Sequence, residues 1–341
     1  MSHALFFLGL PAMLLASCAT PFAPLPEAPA ARETAAVGSP DDAADDPAIW
    51  IDAAAPERSI ILGTDKQAGL YAYALDGSVT QFLPVGALNN IDLRQGVAAG
   101  AFSGDIAAAS NRSDNTITLF VIENGKLRKS GAFASTIVEP YGLCMGNSAG
   151  AVMVFVAYKT GDLIAYRLTG EGTGVEAARL KLATQLEGCV FDDEAGTLYI
   201  GEEGRGVWKA SFANELFGAP ALVDEVGGVS GITADIEGMA LYKIGPASGY
   251  LIVSSQGDYS YAVYDRSGDN RFLGRFRIGP AGAVDGAEET DGLEATPVAL
   301  GADFPAGALI VQDGFNLPKG QKQNFKIVDW RSIETVINPL N

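Results

Sequence analysis

Residues 186–203 read LEGCVFDDEAGTLYIGEE, and this stretch contains the unit that decides the fold. An acidic residue, Glu187, starts a short apolar run, a turn rich in Asp and Gly follows, and a second apolar run ends at Glu203. Short runs of Val, Ile, Tyr and Leu between such turns are typical of β-strands, and no window past the N-terminus has a sustained helical period. The sequence therefore predicts an all-β protein.

The same unit recurs six times along the chain. Its first strand begins at a polar leading residue, and these residues are 44, 51, 46, 50 and 54 positions apart: Asp46, Asn90, Tyr141, Glu187, Glu237 and Asp291. Its second strand ends at a polar closing residue, in the order Lys66, Arg112, Lys159, Glu203, Gln256 and Asp313. Repeats of about 40 to 55 residues with several short strands each indicate a β-propeller. We expect a six-bladed β-propeller with a central channel.

The repeat also predicts a site. In each blade the first strand starts, and the antiparallel second strand ends, at the same edge, so the leading and closing residues should ring one mouth. The first three blades supply the bases Lys66, Arg112 and Lys159, and the other three supply mainly acids. Asp235 and Glu237 are two positions apart in a strand, which places both carboxylates on one side, where they repel each other unless they share a cation. This sorting favours a functional mouth over the ordinary polarity of strand ends.

Composition excludes several classes of function. The 41 acidic and 23 basic residues give a net charge of −18, which repels a nucleic-acid backbone, so no nucleic-acid partner is expected. The single histidine, His3, lies in the N-terminal leader, which excludes a Ser-His-Asp or Cys-His pair and a His-ligated zinc site. Cys144 and Cys189 are predicted to be two buried thiols rather than a disulfide, since sequence does not fix their geometry.

The N-terminus resembles a bacterial export signal. Residues 4–16 are almost wholly apolar, too few to span a bilayer comfortably but enough for a signal-peptide core. The run ends in Leu15-Ala16-Ser17-Cys18, which resembles a lipobox, and lipidation of Cys18 is preferred over a cysteine that lies near the cleavage site by chance.

These features divide the chain into three parts. Residues 1–18 are predicted to be a signal peptide with a lipobox, 19–34 a tether rich in Pro and Ala, and 35–341 the propeller. The protein is expected to be exported and held at a bacterial membrane, in the periplasm or at the cell surface, by its N-terminal lipid alone.

Nine short segments match one family in order and with compatible spacing: DDPAIW (45–50), LNNID (88–92), AASNRS (108–113), LEG (186–188), LYIGEE (198–203), DIEG (235–238), SSQG (254–257), TDG (290–292) and QKQNFK (321–326). On these segments the chain resembles the bacterial β-propeller phytases from about Asp41 to Trp330. The resemblance implies hydrolysis of the phosphate monoesters of phytate, myo-inositol hexakisphosphate, with several Ca²⁺ ions as structural and catalytic cofactors. Phytate or calcium-phytate is the expected substrate, and a monomer is expected.

The resemblance also implies roles for the mouth residues. Catalytic calcium would be held by Tyr141, Glu187, Glu203, Asp235, Glu237 and Asp291. The catalytic bases, which with Tyr141 would also bind the substrate phosphate, are Lys66, Arg112 and Lys159. A calcium-bridged water would attack phosphorus without a covalent intermediate. Calcium ions that stabilise the fold would use Asp46, the carbonyls of Pro47 and Ile91, and Asp285, Gly286 and Asn316. By itself, Tyr141 at a strand start is more typical of packing or hydrogen bonding.

The chain departs from the family pattern at two places. Lys66 is followed by Gln67 where two adjacent lysines are common, so one substrate contact is lost or moved. Phe315 and Pro318 stand where acidic calcium ligands are expected. The stabilising site that includes Asp285 is therefore predicted to be weak or vacant, and calcium-dependent thermal stability to be low.

Two other functions are compatible with a propeller. One is a calcium-dependent lactonase or phosphotriesterase, which predicts a sparse single-metal floor and has less use for three bases together. The other is a non-catalytic, lipid-anchored scaffold, which predicts no phosphate release and no effect of Glu203→Ala or Asp291→Ala.

Overall fold

The computed structural model describes residues 24–100, 102–318 and 320–337 and folds them into six sheets around a common axis. Four or five strands form each sheet, and most follow one another in the chain with antiparallel pairing. The innermost strands of neighbouring sheets contact one another in a closed ring. The predicted six-bladed β-propeller is confirmed.

The N-terminal strands are β1 (Glu27–Pro29) and β2 (Arg32–Glu33). Blades 1 to 3 comprise, from the axis outward, β3 (Ala44–Trp50), β4 (Ile60–Asp65), β5 (Gly69–Ala74) and β6 (Val79–Leu83); β7 (Leu88–Ala99), β8 (Phe102–Asn111), β9 (Thr116–Glu123) and β10 (Lys126–Ala134); and β11 (Leu143–Ser148), β12 (Ala151–Ala157), β13 (Asp162–Gly170) and β14 (Thr173–Lys181).

Blades 4 to 6 comprise β15 (Leu186–Asp192), β16 (Thr197–Glu202), β17 (Gly206–Ala213), β18 (Leu216–Phe217) and β19 (Ala221–Glu225); β20 (Ile236–Gly245), β21 (Ser248–Ser255), β22 (Ser260–Asp265) and β23 (Phe272–Gly279); and β24 (Leu293–Thr296), β25 (Ala308–Asp313) and β26 (Asn324–Asp329). One helix, α1 (Trp330–Ile337), follows the last strand. Within the described ranges, no helix is long and apolar enough to cross a membrane.

The N-terminal segment completes two blades. β1 pairs in parallel with β23 at the outer edge of blade 5, and β2 pairs antiparallel with β26 in blade 6. Ala28 and Ala30 are fully buried against these blades. The prediction of a tether is therefore wrong for residues 27–33, because the small side chains of this segment pack where an open sheet edge needs a partner. The predicted signal peptide and Cys18 lie outside the described residues.

Apolar side chains fill the spaces between neighbouring blades, giving one core cluster for each pair of blades. Cys144 of β11 and Cys189 of β15 lie in the cluster between blades 3 and 4. Their sulfurs form a disulfide of 2.04 Å, with the Cα atoms 5.7 Å apart. The prediction of two free thiols is wrong, because two adjacent inner strands bring the residues into bonding range across 45 positions of sequence.

Candidate metal centre

Four glycines allow the inner strands of neighbouring blades to approach closely on the acidic side of the ring. Each follows a residue at the start of an inner strand and lies against the backbone of the next blade: Gly142, Gly188, Gly238 and Gly292. A Cβ added to Gly188 would lie 2.0 Å from the carbonyl oxygen of Glu237, and one added to Gly142 would lie 1.8 Å from that of Glu187. Since no larger residue fits, this spacing brings acidic residues of successive blades side by side.

A cavity of about 310 Å³ opens above these glycines. Almost all of its lining is polar, and it comprises Asp42, Lys66, Tyr141, Gln185, Glu187, Glu203, Asp235, Glu237, Gln256, Glu289, Asp291, Gln312 and Gln323. All six residues that the family resemblance assigns to catalytic calcium lie on this wall. Asp235 and Glu237 lie on it together, as their spacing predicts.

The densest part of the wall is a carboxylate cluster. Glu187, Glu203 and Glu237 each present an oxygen within 4.8 Å of the others. Glu187 and Glu237 are 5 % exposed, and Oε2 of Glu237 is buried without a hydrogen-bond partner. Several carboxylate oxygens around one point are the ligand set that Ca²⁺ prefers, and an unpartnered buried oxygen leaves a coordination position open. These residues therefore fit a hard divalent cation.

Electrostatics at the cluster favour a cation as well. Burial, followed by the charge of Asp45, raises the pKa of Glu187 to about 8. The same two causes, in the same order, raise the pKa of Asp291 to about 7. The pKa of Glu237 is raised well above its usual value by burial and by the charge of Glu187. Carboxylates with raised pKa values need either protons or metal ions to offset their mutual repulsion.

Asp45 is a site residue that sequence reasoning missed. It is 1 % exposed, and neither of its carboxylate oxygens has a hydrogen-bond partner. Burial raises its pKa, and the positive charges of Lys66, Arg112 and Lys159 oppose that rise. Its interactions with both the bases and the acids locate its carboxylate between the two halves of the site. A buried acid with two free oxygens fits a further metal ligand.

Of the three bases, Lys66 lines the cavity, and Arg112 and Lys159 each contact a residue that lines it. Lys66 Nζ forms ion pairs with Asp291 at 2.9 Å and with Asp42 at 2.7 Å. Arg112 donates to the carbonyl oxygen of Lys66 at 3.3 Å, and Lys159 Nζ lies 4.3 Å from the ring centre of Tyr141. The acids of the cavity wall, which form an acidic floor, therefore have the ammonium of Lys66 beside them, and the bipolar mouth stays a prediction for Arg112 and Lys159.

Five of the twelve ring residues do not line this cavity, so the expected ring is incomplete there: Asp46, Asn90, Arg112, Lys159 and Asp313. Asp46 and Asn90 line the narrow central channel instead, and Asp313 is buried. The physical reason at Asp46 is strand alternation, because adjacent residues point in opposite directions and Asp45 takes the mouth side. A register shift between Ala44 and Pro47 adds to the displacement.

The residues assigned to stabilising calcium fall into two places. Asp46, Pro47 and Ile91 lie together at the channel, where Asp46 Oδ2 accepts a hydrogen bond of 3.0 Å from the backbone of Ile91. Asp285 and Asn316 instead contact the buried ammonium of Lys326.

Lys326 also pairs with Glu33 at 2.6 Å and with Asp313 at 3.1 Å. Phe315, in place of an acid, packs edge-on against Tyr259 with the ring centres 6.1 Å apart. An internal cation and an aromatic pair thus occupy the region where the calcium site near Asp285 and Gly286 is expected.

The fold and the mouth together define a class: a six-bladed propeller with a carboxylate cluster and a lysine in the cavity at its mouth. The phytase family model matches residues 15–339. The chain is 41 % identical over 317 residues to a 3-phytase from Bacillus subtilis (strain 168), covering 88 % of this chain and 83 % of that protein. The chain therefore belongs to the phytase family and is a phytase, a hydrolase of phytate.

Similarity to solved structures supports the fold alone. A luciferin-regenerating enzyme superposes with a TM-score of 0.56 at 10 % identity, over 85 % of this chain and 92 % of that one. The β-propeller domain of Cps50 (Swd1) from Myceliophteria thermophila has a TM-score of 0.50 at 11 % identity, over 84 % of this chain and 83 % of that one.

Proposed function

We propose that the protein is a calcium-dependent phytase. The acidic floor, which comprises Glu187, Glu203, Asp235, Glu237 and Asp291, would bind the metal. The basic wall, which comprises Lys66, Arg112 and Lys159, would bind the phosphate to be removed. The observation that carries this proposal is the cluster of Glu187, Glu203 and Glu237 with the unpartnered oxygen of Glu237. Phytate is densely anionic, and a bare acidic floor would repel it. Bound cations invert that field and make the same floor attractive to the substrate.

Seven residues would hold the catalytic metal: Asp45, Tyr141, Glu187, Glu203, Asp235, Glu237 and Asp291. All offer oxygen ligands, which suits calcium better than a softer metal. When bound, calcium would supply positive charge at the phosphoryl oxygens and lower the pKa of a water molecule that would serve as the nucleophile. The role that the family resemblance implies for Tyr141 is supported by its place on the cavity wall, where Lys159 lies over its ring.

The bases have distinct tasks in this proposal. Arg112 can donate two parallel hydrogen bonds to phosphate oxygens, whereas Lys66 and Lys159 act as point charges. Lys66 is paired with Asp291 and Asp42 before substrate arrives, so its ammonium is held at the edge of the metal floor. From that position Lys66 would contact a phosphate beside the metal ligand Asp291 and would neutralise charge that develops in the transition state.

Two stabilising calcium sites and the export of the chain are also part of the proposal. Asp46, Pro47 and Ile91 would hold a stabilising calcium at the channel, because Asp46 and the backbone of Ile91 are in contact there. A second one at Asp285, Gly286 and Asn316 would compete with Lys326. Export and lipidation of Cys18, with a monomeric propeller at a bacterial membrane, rest on the N-terminal sequence.

Phosphate release from phytate, measured with calcium and with chelator, tests the proposal. We expect activity only with calcium, and a loss of about 100-fold or more in kcat/KM for Arg112→Ala and Glu187→Ala. Lys129→Ala, which removes an exposed base on β10, is the matched control and should be fully active. Full activity in chelator would contradict calcium dependence, and unchanged activity of Arg112→Ala would contradict the basic wall.

A further inference from the structure

Neutral amide side chains donate hydrogen bonds to three carboxylates of the acidic floor. Asn89 Nδ2 donates to Glu187 Oε1 at 3.0 Å, and Gln185 Nε2 donates to Glu203 Oε1 at 2.5 Å. Gln256 Nε2 donates to Asp291 Oδ1. Each amide comes from a different part of the ring: the start of β7, the residue before β15, and the turn after β21. Three acids of the floor therefore have an amide partner each.

The direction of the Asn89 hydrogen bond is fixed by its surroundings. Nδ2 of Asn89 also donates to Oδ1 of Asn90 at 2.9 Å, so the nitrogen faces two oxygens at once. The opposite orientation would set Oδ1 against both oxygens and lose both bonds. Asn89 is 1 % exposed, and its own Oδ1 has no partner. Asn89 thus leaves its own Oδ1 without a hydrogen bond while its Nδ2 donates to Glu187.

A neutral donor suits a metal floor better than a cationic one. A carboxylate that is paired with Lys or Arg has much of its charge offset, and Asp291 has such a partner, Lys66, in addition to its amide. An amide N–H instead fixes one oxygen and leaves the full negative charge for a cation. Partners of this kind around metal ligands orient the ligand, and their removal typically lowers metal affinity about 10- to 100-fold.

We propose that Asn89, Gln185 and Gln256 are positioning residues that orient Glu187, Glu203 and Asp291 for calcium. The inference rests on the proposed calcium dependence. It gives a role to Asn89 and Gln185, which are not ring residues, and a specific one to Gln256, a closing residue of the repeat. Gln185 and Gln256 line the cavity and Asn89 is buried, and all three are proposed to act through the acids that they contact. They act by fixing which carboxylate oxygen turns toward the cavity.

Near-isosteric variants without donors test the inference: Asn89→Leu and Gln185→Met. Gln81→Met is the matched control, because the Gln81 amide also makes two hydrogen bonds, both to Leu127 of the neighbouring blade and none to an acid. Calcium binding to metal-free full-length protein is measured by titration calorimetry. Thermal unfolding in chelator is measured alongside and separates an affinity effect from a general loss of stability.

We expect Asn89→Leu and Gln185→Met to bind calcium about 10-fold or more weakly, with unfolding temperatures in chelator close to that of Gln81→Met. Calcium affinity within twofold of the wild type in both variants would overturn the inference while leaving calcium dependence intact. A wild-type protein that releases phosphate from phytate without binding calcium would overturn both. Weaker binding that also occurs in Gln81→Met would overturn the positioning role, because the loss would then not depend on contact with an acid.

Discussion

Without calcium, the free energy of unfolding of the protein should fall as the pH rises from about 5 to 8. The cause is the raised pKa of the buried floor carboxylates, above all Glu187, whose pKa rises from 4.5 to about 8, and Asp291, whose pKa rises from 3.8 to about 7. Within this window the folded metal-free protein holds protons that the unfolded chain has already released. The free energy of unfolding therefore falls as the pH rises.

The size of the effect follows from the shift at Glu187. One pKa unit corresponds to about 1.4 kcal/mol, so ionising this group in the folded state costs on the order of 5 kcal/mol above pH 8. For a domain of this size, each kcal/mol lowers Tm by about 2 °C, which predicts a fall of roughly 10 °C. Asp291 acts in the same direction between about pH 4 and 7. Calcium needs ionised ligands, so saturating calcium should abolish the fall.

Differential scanning calorimetry at several pH values, in chelator and in calcium, measures this directly. Glu187→Gln removes one titrating group and should make the fall in chelator smaller. Glu123→Gln, at an exposed acid on β9, is the control and should behave as the wild type does. A Tm in chelator that stays constant or rises between pH 5 and 8 would refute the reasoning.

Three further predictions concern the scaffold. The double variant Cys144→Ser with Cys189→Ser should lower the free energy of unfolding by about 4 kcal/mol, the loop-closure value for a separation of 45 residues, and denaturant titration checks this; a change below about 1 kcal/mol would contradict it. Gly188→Ala should cost about 1–3 kcal/mol and weaken calcium binding, because its Cβ would displace the backbone of Glu237; calorimetric affinity equal to the wild type would argue against that coupling. Asp285→Asn should leave the calcium-induced rise in Tm almost unchanged, because Lys326 supplies the cation there, whereas loss of most of the rise would mean that calcium fills that site.

The fold could be predicted from the sequence because polar residues recur at a regular spacing at the strand ends. Leading residues about 50 positions apart, each before a short apolar run, are enough to count six blades. The N-terminal strands could not be predicted in the same way. Pro and Ala suit a solvated linker as well as a small-residue strand, and only the open edges of β23 and β26 decide between them.

The site was predictable where side chains follow the repeat, and less so where local geometry departs from it. Glu187, Glu237 and Asp291 could be located from strand starts that are followed by glycine. Asp45 takes the place at the mouth that was predicted for Asp46, and this depends on a one-residue register shift that the sequence pattern does not show. The disulfide depends on the distance between two blades, which the sequence does not contain.

The amide partners of the acids were invisible for a different reason. Polar residues such as Asn89 and Gln185 are ordinary at strand ends and in turns. Only their hydrogen bonds to Glu187 and Glu203 distinguish them. Polar strand ends therefore identify the mouth, whereas the roles of individual polar residues within it require coordinates.

The most direct test of the account is the release of phosphate from phytate by chelator-treated protein to which calcium is added back in steps. We expect no release at the start and a rise to full activity as calcium saturates the acidic floor. We also expect that Glu203→Ala, which removes one acid of the cluster, needs more calcium or never recovers. Full activity before any calcium is added, or a Glu203→Ala response identical to the wild type, would contradict the central claim.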